Sequence, residues 1–452
     1  MISRRKFIAH SSALTVSSSL LNLAAVRSVQ AQTLSDYKAL VCILLAGGND
    51  SFNMLVPNDG DQYAEYSAIR SDLALPSADL LALPGTDGNG RSHALHPGMP
   101  ELQSLYADGD AAFVANVGTL LEPVDAAAVE AGAPVPVGLY SHSDQIQHWQ
   151  TATPDLRSAE GWGGRLADLM RTVNADNGLS MNISLGGTNV FQSGAITSEY
   201  SINPGDDASS GVNAYGEDSD FGRLRQRMID DMLAVAHDST FRQEYVKRLR
   251  GAIDNQALFT EALANGTPVT TAFSDNPLSQ SLRQVARVIG ARNDLDACRQ
   301  TFFVLVGGWD HHDDVLDNQA VMLPWVSRGL SEFRSALTDL GLLDQVATFT
   351  ISDFGRTLTS NGKGSDHGWG GHQIVMGGGV AGGRIFGSYP ELSASSPLDT
   401  GRGRYVPTTS TDVYFAELAL WFGVSPSDLS LVLPNVSRFH SPGGGAPLGM
   451  LM

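Results

Sequence analysis

Two short runs of the chain bring together side chains that bind metal ions. "GGWDHHDD" (residues 307–314) holds Asp310, His311 and His312, and "SDHGWGGH" (residues 365–372) places Asp366, His367 and His372 among glycines and a tryptophan. Aspartate mixed with histidine suits zinc, manganese or iron(II), whereas an all-oxygen set suits magnesium or calcium. In the first run Asp310 and His312 can face one ion from a single loop, with His311 turned the other way. The competing reading makes Asp310 the cap of the next helix and leaves the histidines solvated. In the second run the glycines allow a tightly turning backbone that brings Asp366, His367 and His372 toward a common point.

Three further segments carry chemistry of their own. "SDFGRT" supplies Asp353 and Arg356, and that arginine can either grip a phosphate or sulfate oxygen pair or neutralise a structural acid. "GLYSHSDQIQHWQT" puts Ser141 and Ser143 at the start of an expected helix. Unsatisfied N–H groups there favour an anion and a serine nucleophile, although local sequence alone favours an ordinary N-cap. Asp50 in "GGND" sits in what is by itself an ordinary turn. Six histidines (His142, His148, His311, His312, His367 and His372) fall within three short segments, a clustering that scattered surface histidines would not show.

The elements that must position these residues read as strands alternating with helices. "ALVCILL", "AAFVANVG", "QTFFVLV", "QVATFTIS" and "HQIVMGGGV" are apolar on both faces, as central strands of a covered parallel sheet are. Amphipathic stretches separate them, among them "NPLSQSLRQVARVIGAR" and "MLPWVSRGLSEFRSALTDLGLLD". The expected fold is therefore α/β, a doubly wound, mostly parallel sheet with helices on both faces. Asp50, Asp310 and Asp353 each follow the C-terminal end of a strand, the edge at which open α/β sheets bind ligands. Residues 120–140 and 194–275 read as long surface insertions in a single domain spanning 32–452.

The N-terminus addresses the compartment. "SRRKFIA", an apolar stretch to Val26 and the small-residue end at Ala31 read as a twin-arginine signal peptide over residues 1–31, which predicts passage through the twin-arginine translocase and an exported, periplasmic or secreted protein. No later segment has the ~20 apolar residues of a stable membrane span. Removing residues 1–31 deletes four basic and no acidic residues, taking the formal charge from −19 to −23. Such acidity excludes an electrostatic footprint for nucleic acid and favours local enrichment of cations. Cys42 and Cys298 can pair in an oxidising compartment or remain buried thiols. "GGNDSFN" lacks the glycine spacing of a dinucleotide site, which leaves little basis for an oxidoreductase.

Taken together, "LLAGGNDSFNMLVP", "YSHSDQIQHWQT", "GWGGRLADL", "GGWDHHD", "SDFGRTLTSNGKGSDHGWGGH" and "TDVYFAELALWFGV" resemble the exported bacterial family called domain of unknown function 1501, in order and over nearly the whole chain after the signal segment. That family in turn resembles the alkaline phosphatase and sulfatase superfamily. The resemblance implies an alkaline-phosphatase-like fold with divalent metal, zinc or manganese, as one or two ions at the carboxyl edge of the sheet. It also implies Asp50 as a first metal ligand, Ser141 or else Ser143 as nucleophile, Asp310 and His312 in one metal site, Asp353 as the next ligand and His367 or His372 as the last. Two departures stand out: Asp310 and His312 are only two apart, and Phe354 replaces an expected histidine or asparagine ligand, leaving Asp366 or His367 to complete a second site.

The expected function is metal-dependent hydrolysis of a phosphate or sulfate ester, with a small anionic ester or glycan as substrate and Arg356 stabilising charge on the transferred group. The alternative is a non-catalytic envelope or secreted binding protein that keeps the fold and one metal.

Overall fold

The computed structural model describes residues 36–452 apart from 175–177, 206–214, 237, 394 and 442. The expected signal peptide, residues 1–31, lies outside the described residues.

The central sheet is built on β1 (Lys38–Leu45), β2 (Ala111–Gly118), β3 (Asn182–Ser184), β4 (Tyr200–Ser201), β5 (Arg299–Val306) and β6 (Val346–Ser352). A small antiparallel hairpin follows, β7 (Arg356–Ser360) with β8 (Ser365–His367), and the chain re-enters the sheet as β9 (Gly371–Gly377), β10 (Ile385–Gly387) and β11 (Thr409–Ser410). Across the sheet the order is β10-β2-β9-β6-β1-β5-β3-β4, with β11 also on β2. β1 runs parallel to both β5 and β6, whereas β9 runs antiparallel to both of its neighbours, β2 and β6. The expectation of a mostly parallel sheet therefore holds, with β9 the exception that its apolar sequence could not reveal.

β1 explains the two-layer cover. Ala39, Val41, Ile43 and Leu45 face one apolar cluster, and Leu40, Cys42 and Leu44 face the other, as strand alternation requires. The first cluster is closed by α2 (Pro100–Asp108), α7 (Pro277–Gly290) and α8 (Val315–Asp339), and the second by α3 (His142–Thr151), α4 (Trp162–Met170) and α9 (Thr411–Phe422). Three further helices longer than ten residues are α1 (Gly60–Arg70), α5 (Asp220–Ala234) and α6 (Thr240–Asn265). α7 starts where the sequence says it must: Asn276 accepts the Ser279 N–H and Pro277 stands at the first turn, where it costs no hydrogen bond. Cys42 and Cys298 are both free thiols, and burial pushes the Cys42 thiol well up.

What matters for chemistry is the register. Leu45, Val306 and Ser352, the last residues of β1, β5 and β6, are paired side by side, so the three loops that follow leave the sheet at one edge. β9 begins at that same edge because it runs the other way, and it is therefore the segment before β9, not after it, that arrives there.

Candidate metal centre

Each histidine of the cluster is held by its Nδ1. His142, the first residue of α3, bonds through Nδ1 to Asp353 Oδ2 at 2.6 Å. His312 bonds through Nδ1 to Asp366 Oδ1 at 3.1 Å, and His367 donates from Nδ1 to the Tyr140 carbonyl at 2.8 Å. That carbonyl is aimed by an unusual backbone, since Tyr140 has φ +73°. With the Nδ1 protons so engaged, the Nε2 atoms are left as lone-pair donors. They converge on Asp310: His142 Nε2 is 3.5 Å from Oδ2, His312 Nε2 is 3.1 Å from Oδ1 and His367 Nε2 is 3.6 Å from Oδ1. His312 Nε2 and His367 Nε2 stand only 2.9 Å apart. Two unprotonated nitrogens cannot hydrogen bond to one another, so this approach fits a shared cation.

His142, Asp310 and His367 each offer a ligand atom within 4.8 Å of one another, and His312 closes on Asp310 and His367 beside them. Imidazole and carboxylate together match zinc or manganese chemistry. Around the donors stands an outer set of acids: Asp353 behind His142 and Asp366 behind His312, the arrangement that fixes ring orientation in metal sites.

The electrostatics follow from these partners. Burial works to raise Asp310, but the Arg356 guanidinium 2.5 Å away outweighs it and holds the carboxyl below its ordinary value. For Asp353 burial wins over the bonds from Gly47 N–H and His142, and its pKa is raised. Asp366 goes the other way, to about 2: burial opposes the change, but bonds from Asn361, Arg402 and His312 prevail. Burial lowers His367, which favours the neutral ring a metal requires.

Several expected site residues lie elsewhere. Asp50 leaves β1 at the right edge but turns inward, where it is fully buried, paired with Arg70 at 2.7 Å and accepting from Ser365 Oγ at 2.6 Å. A buried guanidinium thus satisfies the charge of the aspartate expected as first ligand. His372 is buried under Tyr389, its ring stacked at 4.5 Å, with Nδ1 accepting the Asn116 N–H and its pKa pushed down to about 3 by burial. Asp353 and Asp366 are in the cluster, but as supports of histidines. Arg356 does not face outward: its side chain is buried and donates to the carbonyls of Gly47, Gly48 and Ser365 as well as to Asp310. It is therefore a positioning residue and cannot grip an ester oxygen. Ser141 occupies the N-cap position of α3 without making a cap bond, and its Oγ lies 3.2 Å from that of Ser143. Phe354 contributes no ligand; its ring packs on His142 and His367 at 4.9 and 4.6 Å.

Sequence reasoning missed His142, although it stands between the two serines chosen as nucleophiles. The signal was present in its clustering with the other histidines, but nothing local says that α3 starts beside Asp353. It also missed Arg404, whose guanidinium lies 5.3 Å over the Tyr140 ring and donates from Nε to the His367 carbonyl at 2.9 Å.

Close approach dictates one glycine in particular. Gly47 has φ +125°, and a Cβ there would stand 2.4 Å from the Asp310 backbone nitrogen. The first loop can lie against the second only without a side chain.

The chain matches the family described as "Protein of unknown function (DUF1501)" over residues 37–400, and it belongs to that family. No curated protein matches it. Among solved structures it is similar to the lipoteichoic acid synthase LtaP of Listeria monocytogenes (9% identity, 76% of this chain, 65% of that one, TM-score 0.28), so it spans about two thirds of that chain's length. It is also similar to the PsFucS1 sulfatase of Pseudoalteromonas sp. (10% identity, 89% and 70%, TM-score 0.35). The C-terminal periplasmic domain of Escherichia coli EcEptC, in complex with Zn, gives 10% identity, 90% and 88% coverage and a TM-score of 0.35.

Proposed function

We propose that this protein is an exported, metal-dependent hydrolase of phosphate or sulfate esters, with zinc or manganese held by His142, Asp310, His367 and His312. The observation that carries the metal is the convergence of three Nε2 atoms on one carboxylate while their Nδ1 atoms are engaged by Asp353, Asp366 and the Tyr140 carbonyl. A divalent ion held there would supply Lewis acidity toward an ester oxygen and bring the pKa of water down toward about 7. Asp353 keeps the proton on His142 Nδ1 and so keeps the other nitrogen free. Ser141, adjacent to His142 and unused as a cap, is the hydroxyl available as nucleophile, with Ser143 beside it. Arg404 takes the anion-binding role expected of Arg356: among the described residues its terminal nitrogens have no hydrogen bond or ion pair, and its stem is fixed by Tyr140 and the His367 carbonyl. Export rests on residues 3–31 of the sequence.

A second reading has one observation in its favour. The arginine expected to stabilise the transferred group is committed to backbone carbonyls, which suits an ester- or glycan-binding protein that keeps the metal without turnover. Elemental analysis after incubation with zinc or manganese, combined with hydrolysis of p-nitrophenyl phosphate and sulfate, separates the two. Hydrolysis that falls roughly a hundredfold or more in both His142→Ala and Ser141→Ala supports the enzyme. A metal-loaded protein without turnover supports the binder, and a protein that takes up no metal removes both.

A further inference from the structure

Asp366, which holds His312 through Oδ1, is itself held from outside. Its Oδ2 lies 2.7 Å from Arg402 Nη2, and the Arg402 side chain makes no other hydrogen bond or ion pair among the described residues. A carboxylate gripped on both oxygens has its plane fixed, so Oδ1 stays turned to His312 Nδ1, where Asn361 Nδ2 also donates at 3.1 Å. Such a carboxylate sets ring orientation in a metal site. Arg402 lengthens that chain by one step, from guanidinium to carboxylate to imidazole.

The backbone shows what this side chain costs. Residues 401–403 take φ +108°, +65° and +70°, three consecutive residues at positive φ of which only the middle one is not glycine. Asp399 Oδ1 folds the turn by accepting the N–H groups of Gly401 and Gly403 at 2.8 and 2.9 Å. The turn is seated on β7: Thr359 donates its N–H and its Oγ1 to the Arg402 carbonyl, and a Cβ at Gly403 would stand 2.4 Å from Leu358 Cβ. β7 and β8 form the hairpin that carries Asp366, so the turn and the carboxylate share one platform. Glycine would adopt φ +65° without the strain a side chain brings there, and it would keep the bonds to the carbonyl. Folding gains little in return, because the Arg402 side chain is 45% exposed and a solvent-exposed ion pair contributes little stability. A side chain kept at a strained position, with its one polar contact on a support of the cluster, points to a role in the site.

We propose that Arg402 is a positioning residue of the metal centre, fixing His312 through Asp366. The inference rests on the metal reading above, and the experiment separates the two. Zinc affinity of the full-length protein is measured by competition with a chromophoric chelator in phosphate-free buffer. Loss of a group bonded directly to a metal-binding histidine typically costs about 10- to 100-fold, and Arg402 stands one bond further out, so Arg402→Gly should weaken zinc at least about fivefold. The unfolding midpoint of the metal-free variant should stay within about 2 °C of the parent. Arg402→Lys, which keeps a charged donor without the planar fork, should recover part of the affinity. In an Asp366→Ala background, Arg402→Gly should weaken zinc no further, because the connection through the carboxylate is already gone. The visible absorption of the cobalt-loaded protein, which reports the ligand set, should change in Arg402→Gly and Asp366→Ala alike. A parent that binds zinc no better than Arg402→Gly overturns this inference alone. So do losses that add in the double variant, a midpoint that falls along with zinc affinity, or a loss confined to the affinity for added phosphate, which would make Arg402 an anion grip. A parent that binds neither zinc nor manganese overturns the metal reading and this inference with it.

Discussion

His142 Nδ1 lies 2.6 Å from Asp353 Oδ2, a bond between residues 211 apart in the chain that joins the start of α3 to the end of β6. It decides which nitrogen of His142 is free, and with it the ligand count of the cluster. Asp353→Asn should lower zinc affinity about 10- to 100-fold while leaving the ligands in place. Competition against a chromophoric chelator measures this, and unchanged affinity would show that His142 needs no such support.

Asp50 and Arg70 form a buried pair with neither side chain accessible. Arg70→Met strands a buried carboxylate and should cost about 3–5 kcal/mol in urea unfolding. Arg70→Met combined with Asp50→Leu should recover most of that loss. Metal stoichiometry should be the same in the double variant as in the parent, since Asp50 stands outside the cluster; loss of one ion would return Asp50 to the site.

For Arg356 the conservative change is the informative one. A lysine cannot reproduce donation to Gly48 at 2.8 Å, Ser365 at 3.0 Å and Asp310 together. Arg356→Lys should lose roughly 2–4 kcal/mol of stability through carbonyls left without donors. Equal stability would mean that water replaces the lost donors.

Asp412, in the first turn of α9, is buried with both carboxyl oxygens unpartnered, and burial raises its pKa to about 7. A folded-state pKa above the unfolded value of 3.8 means that the folded protein holds this proton more tightly. Asp412 therefore takes away stability as pH rises from about 4 to about 7, and the loss is complete above that. Asp412→Asn should raise stability by up to about 4 kcal/mol at pH 8 and have little effect near pH 4. Unfolding curves at the two pH values check the sign; a gain at pH 4 and none at pH 8 would contradict it.

Five strands, β1, β2, β5, β6 and β9, and the amphipathic helices α7 and α8 were legible because apolar runs and helical periodicity are local signals, whereas β3, β4, β10 and β11, two or three residues each, are too short to carry one. The rim was legible too, since Asp50, Asp310 and Asp353 all follow strand ends. What local sequence does not carry is the direction in which a side chain turns after the strand. Asp50 turns inward because Arg70, twenty residues later, arrives on α1 to meet it. Arg356 turns inward because carbonyls from two other loops surround it. His142 becomes a donor only because α3 begins beside Asp353, a tertiary fact. The antiparallel course of β9 was equally hidden, since a strand buried on both faces reads alike in either direction.

Arg356 bonds to Gly47 and Gly48 in the loop after β1, to Asp310 in the loop after β5 and to Ser365 in the hairpin that carries His367. One planar group thus ties three separately arriving segments, and none of them can shift without breaking bonds held by the other two. The conformational entropy of these loops is lost when the chain folds, not when an ion or an ester arrives. An ion or ester arriving at this rim would consequently meet a preformed receptor, with His312 and Arg402 further held on Asp366 and Arg404 on the His367 carbonyl.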